Sequence, residues 1–386
     1  MQVPKLRFKE FNDEWKEKKL KDISTCFEYG MNLPSKYYDG YNKYIRITDI
    51  DEETRNYISN LSVSPDGKLE DKYIVNKNDI LFSRTGASVG KTYLYKEKDG
   101  RLYFAGYLIR VHINELYNSY FIFLQTLIDR YFKWVTLTST RTGQPGINSQ
   151  EYAQYKIYLP SLEEQTKIAD FLSLIDRKIE LQEKLVENLK LYKKGLLQKV
   201  FSNNQGWKSA KLGDFLIPSD KTPVEDTSKY KKLTVKLNLQ GLEENTIKRT
   251  MLDTRPFYIR HQGEIIIGKQ NYFNGSIAIV SEKFDNYICS NAIMSFSISN
   301  ANTYFIYYQT SQSNYINKRS YMANGTGQKE LSEKDFLNFD IKIPSIEEQN
   351  RIANLFSNLD KKIDFETKKL QDLKTYKKGL LQKMFI

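Results

Sequence analysis

The chain repeats itself. Ile157-Tyr-Leu-Pro-Ser-Leu-Glu-Glu-Gln165 returns as Ile341-Lys-Ile-Pro-Ser-Ile-Glu-Glu-Gln349, and the match runs without a gap to Tyr192-Lys-Lys-Gly-Leu-Leu-Gln-Lys-Val-Phe201 and Tyr376-Lys-Lys-Gly-Leu-Leu-Gln-Lys-Met-Phe385. A fainter repeat opens each half, where Trp15, Leu20 and Asp22 recur with the spacing of Trp207, Leu212 and Asp214. Just before the closing repeat, Thr142-Gly-Gln144 is matched by Thr326-Gly-Gln328. Elsewhere the halves diverge. The period is far too long for a stacked-repeat solenoid. The plan is two copies of one module, each a variable segment followed by a constant one: 1–156 and 202–340 variable, 157–201 and 341–386 constant.

Each constant segment predicts one long helix. Ser161 precedes Glu164 by three residues and Ser345 precedes Glu348 likewise, the pattern of a reciprocal capping box. Pro160 and Pro344 favour an extended approach to the caps. Apolar residues then follow a three–four spacing: Ile168, Leu172, Ile175, Ile179, Val186 and Leu189 in the first copy, and Ile352, Phe356, Leu359, Ile363, Leu370 and Leu373 in the second. This is a coiled-coil stripe. It is interrupted at Gln182 and Glu366, which either set register in the seam or face solvent. A helix of roughly 40 residues spans about 60 Å and is not stable alone. The expected partner is the other copy, packed antiparallel because the chain must return through the second variable segment; the alternative is packing of each helix on its own module.

The variable segments predict mixed α/β modules. Strand-like runs are Asp79–Phe82, Lys91–Tyr95, Glu264–Ile267 and Ser276–Val280, set between turns such as Pro65-Asp-Gly67, Lys98-Asp-Gly100 and Asn274-Gly275. One amphipathic helix is expected over Ser119–Lys133, with a counterpart over Thr303–Lys318. Each module also carries polar, glycine-containing stretches: Ser83–Lys91 and Thr138–Asn148 in the first, Gly268–Asn274 and Ser320–Glu330 in the second. Arg, Lys, Gln, Asn and Thr in such loops suit phosphate oxygens and base edges. The candidate contacts are Arg84, Thr85, Lys91, Arg141, Thr142, Gln144 and Asn148, and then Lys269, Gln270, Asn271, Asn324, Thr326, Gln328 and Lys329.

Composition agrees. Lys and Arg number 59 against 47 Asp and Glu, a formal charge of +12 that favours a polyanionic partner without choosing among DNA, RNA and an acidic protein. Tyrosine is abundant at 28 residues, and its ring combines an apolar body with a hydrogen-bonding tip. No apolar run approaches the ~20 residues of a membrane span, so a cytoplasmic, soluble protein is expected. Cys26 and Cys289 stand far apart and read as reduced and structural. Gly86-Ala-Ser-Val-Gly-Lys-Thr92 resembles a phosphate-binding loop but is one residue short, with Thr85 where glycine is required. His112 and His261, in strand-like contexts, read as structural. No metal, nucleophile–base or cofactor-binding pattern stands out, so the chain reads as a recognition part with no cofactor of its own.

The whole arrangement resembles the specificity subunits of type I restriction–modification enzymes. The resemblance is carried by Leu159-Pro-Ser-Leu-Glu-Glu-Gln165 and Ile343-Pro-Ser-Ile-Glu-Glu-Gln349, by Asp79-Ile-Leu-Phe-Ser-Arg-Thr-Gly86, Tyr107-Leu-Ile-Arg110 and Gly143-Gln-Pro-Gly-Ile-Asn148, and by Lys193–Lys199 with its copy. The second module departs from it, with Gly268-Lys-Gln270 in place of Ser-Arg-Thr and Lys329 in place of a proline. The resemblance implies an α+β fold: two mixed α/β target-recognition domains separated by two long helices in an antiparallel coiled coil, with pseudo-twofold symmetry. It implies a non-catalytic reader of a bipartite site in double-stranded DNA. It also implies partners, namely two methyltransferase (M) subunits and two restriction (R) subunits, which would bind S-adenosylmethionine, ATP and Mg²⁺. The rival reading is a two-domain coiled-coil adaptor that binds proteins; a stand-alone enzyme is the weaker alternative.

Overall fold

The computed structural model describes residues 3–141, 143–246, 255–319 and 330–386. The chain divides into two compact units, Met1–Gln182 with Lys369–Ile386, and Glu183–Lys368.

In the first unit, short strands rich in β-branched, aliphatic and aromatic residues pair into a four-stranded antiparallel sheet in the order Ser24–Tyr29, Leu108–Ile113, Asp79–Ser83, Thr92–Leu94. The second unit repeats that order with Leu216–Pro218, Ile293–Ile298, Ile265–Gly268 and Ile277–Ile279. The opening repeat also finds its role. Strand Lys16–Lys19 pairs with Lys156–Leu159, and Lys208–Lys211 pairs with Asp340–Ile343, so the start of each module is tied to the strand that leads into its long helix. The modules part company in their middles. Lys43–Ile45 lies parallel to Leu102–Phe104 in the first, whereas Phe257–Arg260 lies antiparallel to Tyr287–Ser290 in the second. Gly275 holds φ +74° against the backbone of Asn238 and Leu239, a turn in which a Cβ would be crowded.

The long helices run over Leu162–Ser202 and Ile346–Met384. Ile168 and Leu172 share a core with Leu380, Leu381, Met384 and Phe385 in the first unit. Ile352 and Phe356 share one with Leu196, Leu197, Val200 and Phe201 in the second. In each unit the start of one helix therefore meets the end of the other, which is antiparallel pairing. Charge follows the same repeat: Lys377 bridges Asp176 at 2.5 Å in the first unit, and their counterparts Lys193 and Asp360 bridge in the second. Each aspartate also accepts from a module tyrosine, Tyr120 or Tyr308. Along the expected stripe Ile179, Val186 and Ile363 are buried, and Ile175, Leu189, Leu359, Leu370 and Leu373 are half-buried. Gln182 is buried and Glu366 half-buried, so neither is a freely solvated position.

Three expectations are corrected. The capping boxes form only in part. Ser161 and Ser345 accept from the backbone N–H of Glu164 and Glu348 at 3.3 and 3.4 Å, but the Glu164 carboxylate turns to Arg7, which grips it through two 2.7 Å bonds. The Glu348 carboxylate turns to Arg351 at 2.5 Å. The expected single helices are each broken in two, into Ser119–Leu124 and Asp129–Ser139, and into Thr303–Thr310 and Ser313–Asn317. In the first module Gln125 caps the end of Ser119–Leu124, and its buried amide donates to Tyr158 O at 3.0 Å and accepts from Tyr158 N at 3.1 Å. That pairs both backbone groups of Tyr158 with one buried side chain. His261 lies just past strand Phe257–Arg260 with an exposed side chain, whereas His112 sits in its strand with Nδ1 2.7 Å from buried Asp79.

Cys289 is buried, which pushes its thiol up to about 12, and Cys26 is raised by burial as well; both are free thiols. Among the described residues no helix is long and apolar enough to cross a membrane.

Candidate nucleic-acid interface

The expected polar loops of the first module lie side by side. Strand Asp79–Ser83 ends at Arg84, whose N–H donates to Tyr107 O at 3.0 Å and whose carbonyl accepts from Ile147 N at 2.9 Å. Thr85 bridges Gly146, and Gly86 N–H donates to Pro145 O at 3.0 Å. Gly86 holds φ +71°, and a Cβ there would stand 3.1 Å from Gln144 Nε2, so glycine lets the two loops close on each other. The result is an open cleft of about 220 Å³ whose lining includes Arg84, Thr85, Tyr107, Arg141, Asn148 and Glu151.

Two tyrosines set the Arg84 side chain. Its guanidinium lies 5.0 Å from the Tyr29 ring centre and 6.0 Å from that of Tyr107, and Nε donates to Gly106 O at 3.1 Å. Each such ring contact contributes about 0.5–1 kcal/mol and limits rotation of the cation. Tyr29 is itself placed by its hydroxyl, which accepts from Ser149 N at 3.1 Å. Arg141 donates to the carbonyls of Thr138 and Thr140 at 2.9 and 3.0 Å and to the Glu151 carboxylate. Asn148 caps the short helix Ser149–Ala153, its side chain accepting from Glu151 N at 2.9 Å. Gln144 is exposed at the loop tip.

The structure thus brings Arg84, Thr85, Arg141 and Asn148 together, with Gln144 beside them. Thr142 lies outside the described residues. Lys91 does not belong with the group. Its ammonium points inward, donates to Ile50 O at 3.1 Å and Ile47 O at 3.4 Å, and pairs with Glu52. Thr92 then enters a strand, so the look-alike phosphate loop leads into a sheet rather than a helix. Lys91→Ala leaves two carbonyls without their donor. We expect it to lower stability by about 1–3 kcal/mol in denaturant titration and to leave DNA affinity unchanged.

Lys269 occupies in the second module the place of Arg84 in the first. Its N–H donates to Ala292 O and its carbonyl accepts from Leu331 N, both at 3.0 Å. Gln270 and Asn271 follow on the surface, and Asn271 Oδ1 accepts from Asn274 Nδ2 at 3.3 Å. Asn324, Thr326, Gln328 and Lys329 lie outside the described residues. The roles of Tyr29, Tyr107 and Glu151 escaped the sequence reading. Asn148-x-x-Glu151 is a capping pattern that marks Glu151, but no sequence signal links it to Arg141.

The family model described as the type I restriction modification DNA specificity domain matches the chain twice, over residues 12–191 and 204–375. A Methanocaldococcus jannaschii protein assigned as the type I restriction enzyme MjaX specificity subunit is 28% identical, the alignment covering 96% of this chain and 93% of that one. The type I restriction enzyme MjaVIII specificity subunit of the same organism is 24% identical over 95% of each chain. In fold, the chain is similar to the crystal structure of the type I restriction–modification S subunit from M. genitalium, with TM-score 0.65, 17% identity, and coverage of 100% of this chain and 99% of the other.

Proposed function

The chain belongs to the type I restriction modification DNA specificity family, and from that premise we propose how its two modules divide the reading of DNA. It is the DNA-recognition subunit of a type I restriction–modification complex, works with the other subunits of that system, and is not itself the catalyst. Each module carries a cationic residue, Arg84 or Lys269, at the same turn after the same sheet strand. That recurrence is the observation that carries the reading. The loops around the two cations differ in sequence, so the two half-sites differ, and the target is bipartite and asymmetric.

The finer composition of the complex is proposed on the pattern of the family. Two M subunits methylate adenines using S-adenosylmethionine, and two R subunits add ATP- and Mg²⁺-dependent translocation and cleavage, all in the cytoplasm. The length of the long helices sets the number of unread base pairs between the half-sites. Two linked readers also gain affinity through effective concentration when both engage. Single-molecule sequencing of host DNA, with and without this gene, tests the proposal. The expected result is a two-part, non-palindromic methylated motif that disappears with the gene. A contiguous or palindromic motif, or one indifferent to the gene, overturns it.

A further inference from the structure

We propose that Arg141 and Glu151 act together to read one G·C base pair, the carboxylate being as much a part of the recognition surface as the guanidinium. The proposal rests on the DNA-recognition reading and adds a base identity to it.

A cleft made only for phosphate has no use for a carboxylate, which repels the backbone at close range. Yet Glu151 lines the same cleft as Arg84 and Arg141. Its helix-capping duty does not explain its second oxygen. The cap is complete once Asn148 Oδ1 accepts from Glu151 N and one Glu151 oxygen accepts from Asn148 N, each at 2.9 Å. The other oxygen is given to Arg141. In the second module Asp335 holds the equivalent place in the turn Glu333–Leu337, and its carboxylate accepts from Ser332 Oγ at 2.7 Å. An acid at this place in the turn can therefore be held by the capping residue's hydroxyl without an arginine.

The pair suits a base edge. Guanine offers two acceptors to the major groove, N7 and O6, and its cytosine offers a donor, N4; an A·T pair offers acceptor, donor, acceptor and a methyl group. A guanidinium fork next to a carboxylate supplies donor, donor, acceptor, which complements G·C and mismatches A·T. The Thr138 and Thr140 carbonyls hold the guanidinium before DNA arrives, so little side-chain entropy is lost on binding. Arg141 and Glu151 remain 41% and 29% exposed, open enough for a base edge to reach them.

Selection from random-sequence DNA tests this, using the full chain purified with its methyltransferase partner. Glu151→Gln keeps the capping acceptor and replaces the second carboxylate oxygen by an amide group. Arg141→Lys keeps the charge and loses the planar fork. Both variants are expected to lose roughly tenfold in discrimination at one G·C position of one half-site, with the other half-site unchanged. An unchanged motif, relaxation at an A·T position, or equal weakening on all sequences overturns the proposal. Failure of the wild type to enrich any motif overturns instead the DNA-recognition reading beneath it.

Discussion

Phe385→Ala is expected to melt the first unit well below the second. Phe385 is buried, with its ring centre 5.1 Å from that of Phe121 and 6.1 Å from that of Trp15. It closes the first unit's core from the far end of the chain. Removing a buried phenylalanine costs about 3–5 kcal/mol, because the cavity adds to the lost transfer energy. For a unit of this size that shifts its midpoint by roughly 10 °C. Phe201 makes the matching contacts in the second unit, 5.9 Å from Trp207 and 5.5 Å from Phe305, so Phe201→Ala should lower the second unit instead. Calorimetry combined with hydrogen exchange resolved by peptide separates the two. If Phe385→Ala leaves protection around Trp15 and Phe121 intact, the chain's end is not a structural part of the first unit.

What could be read in advance was local or periodic. The long helices were legible because a three–four apolar spacing persists for many turns, and the observed starts at Leu162 and Ile346 follow directly from the serine caps. What failed was long-range. Glu164 leaves its expected capping bond for Arg7, and at the break after Leu124 Gln125 bonds Tyr158, a residue of a distant strand. Nothing within a few residues of either site announces its partner. The same holds at the cleft. Two polar loops were legible one at a time, but strand pairing and the Thr85–Gly146 bridge decide that they touch. Lys91 was misplaced for a related reason. Sequence showed a lysine in a glycine-containing loop, and only folding showed the Ile47 and Ile50 carbonyls waiting for it. Gln165 and Gln349, which carry part of the family resemblance, are buried and hold the junction between module and long helix. Each accepts from the N–H of a helix-capping asparagine, Asn118 or Asn302, and donates to the proline carbonyl before its own helix.

Residues 1–205 alone, supplied with M subunit, should form a dimer that reads an inverted repeat of the first half-site. Leu380, Leu381, Met384 and Phe385 complete the core of the first unit. Leu196, Leu197, Val200 and Phe201 are their equivalents in the repeat; Phe201 is buried in the second unit's core, and the other three are half-buried against it. A chain cut at residue 205 thus carries a near copy of the segment it has lost, and two such chains can supply it to each other, as a twofold dimer requires. The substitution is imperfect at two positions: Ser202 stands for half-buried Ile386, and Val200 must fill the place of Met384, which is 2% exposed in the full chain. The smaller side chain leaves a gap costing about 1 kcal/mol in each half of the dimer. Val200→Met within residues 1–205 should therefore tighten the dimer roughly tenfold or more, since two sites act in one equilibrium. Sedimentation equilibrium reads that change, and methylome sequencing reads the palindrome. A monomer at micromolar concentration, indifferent to Val200→Met, would mean that the helix ends are not interchangeable and that the duplication survives in sequence without equivalence in packing.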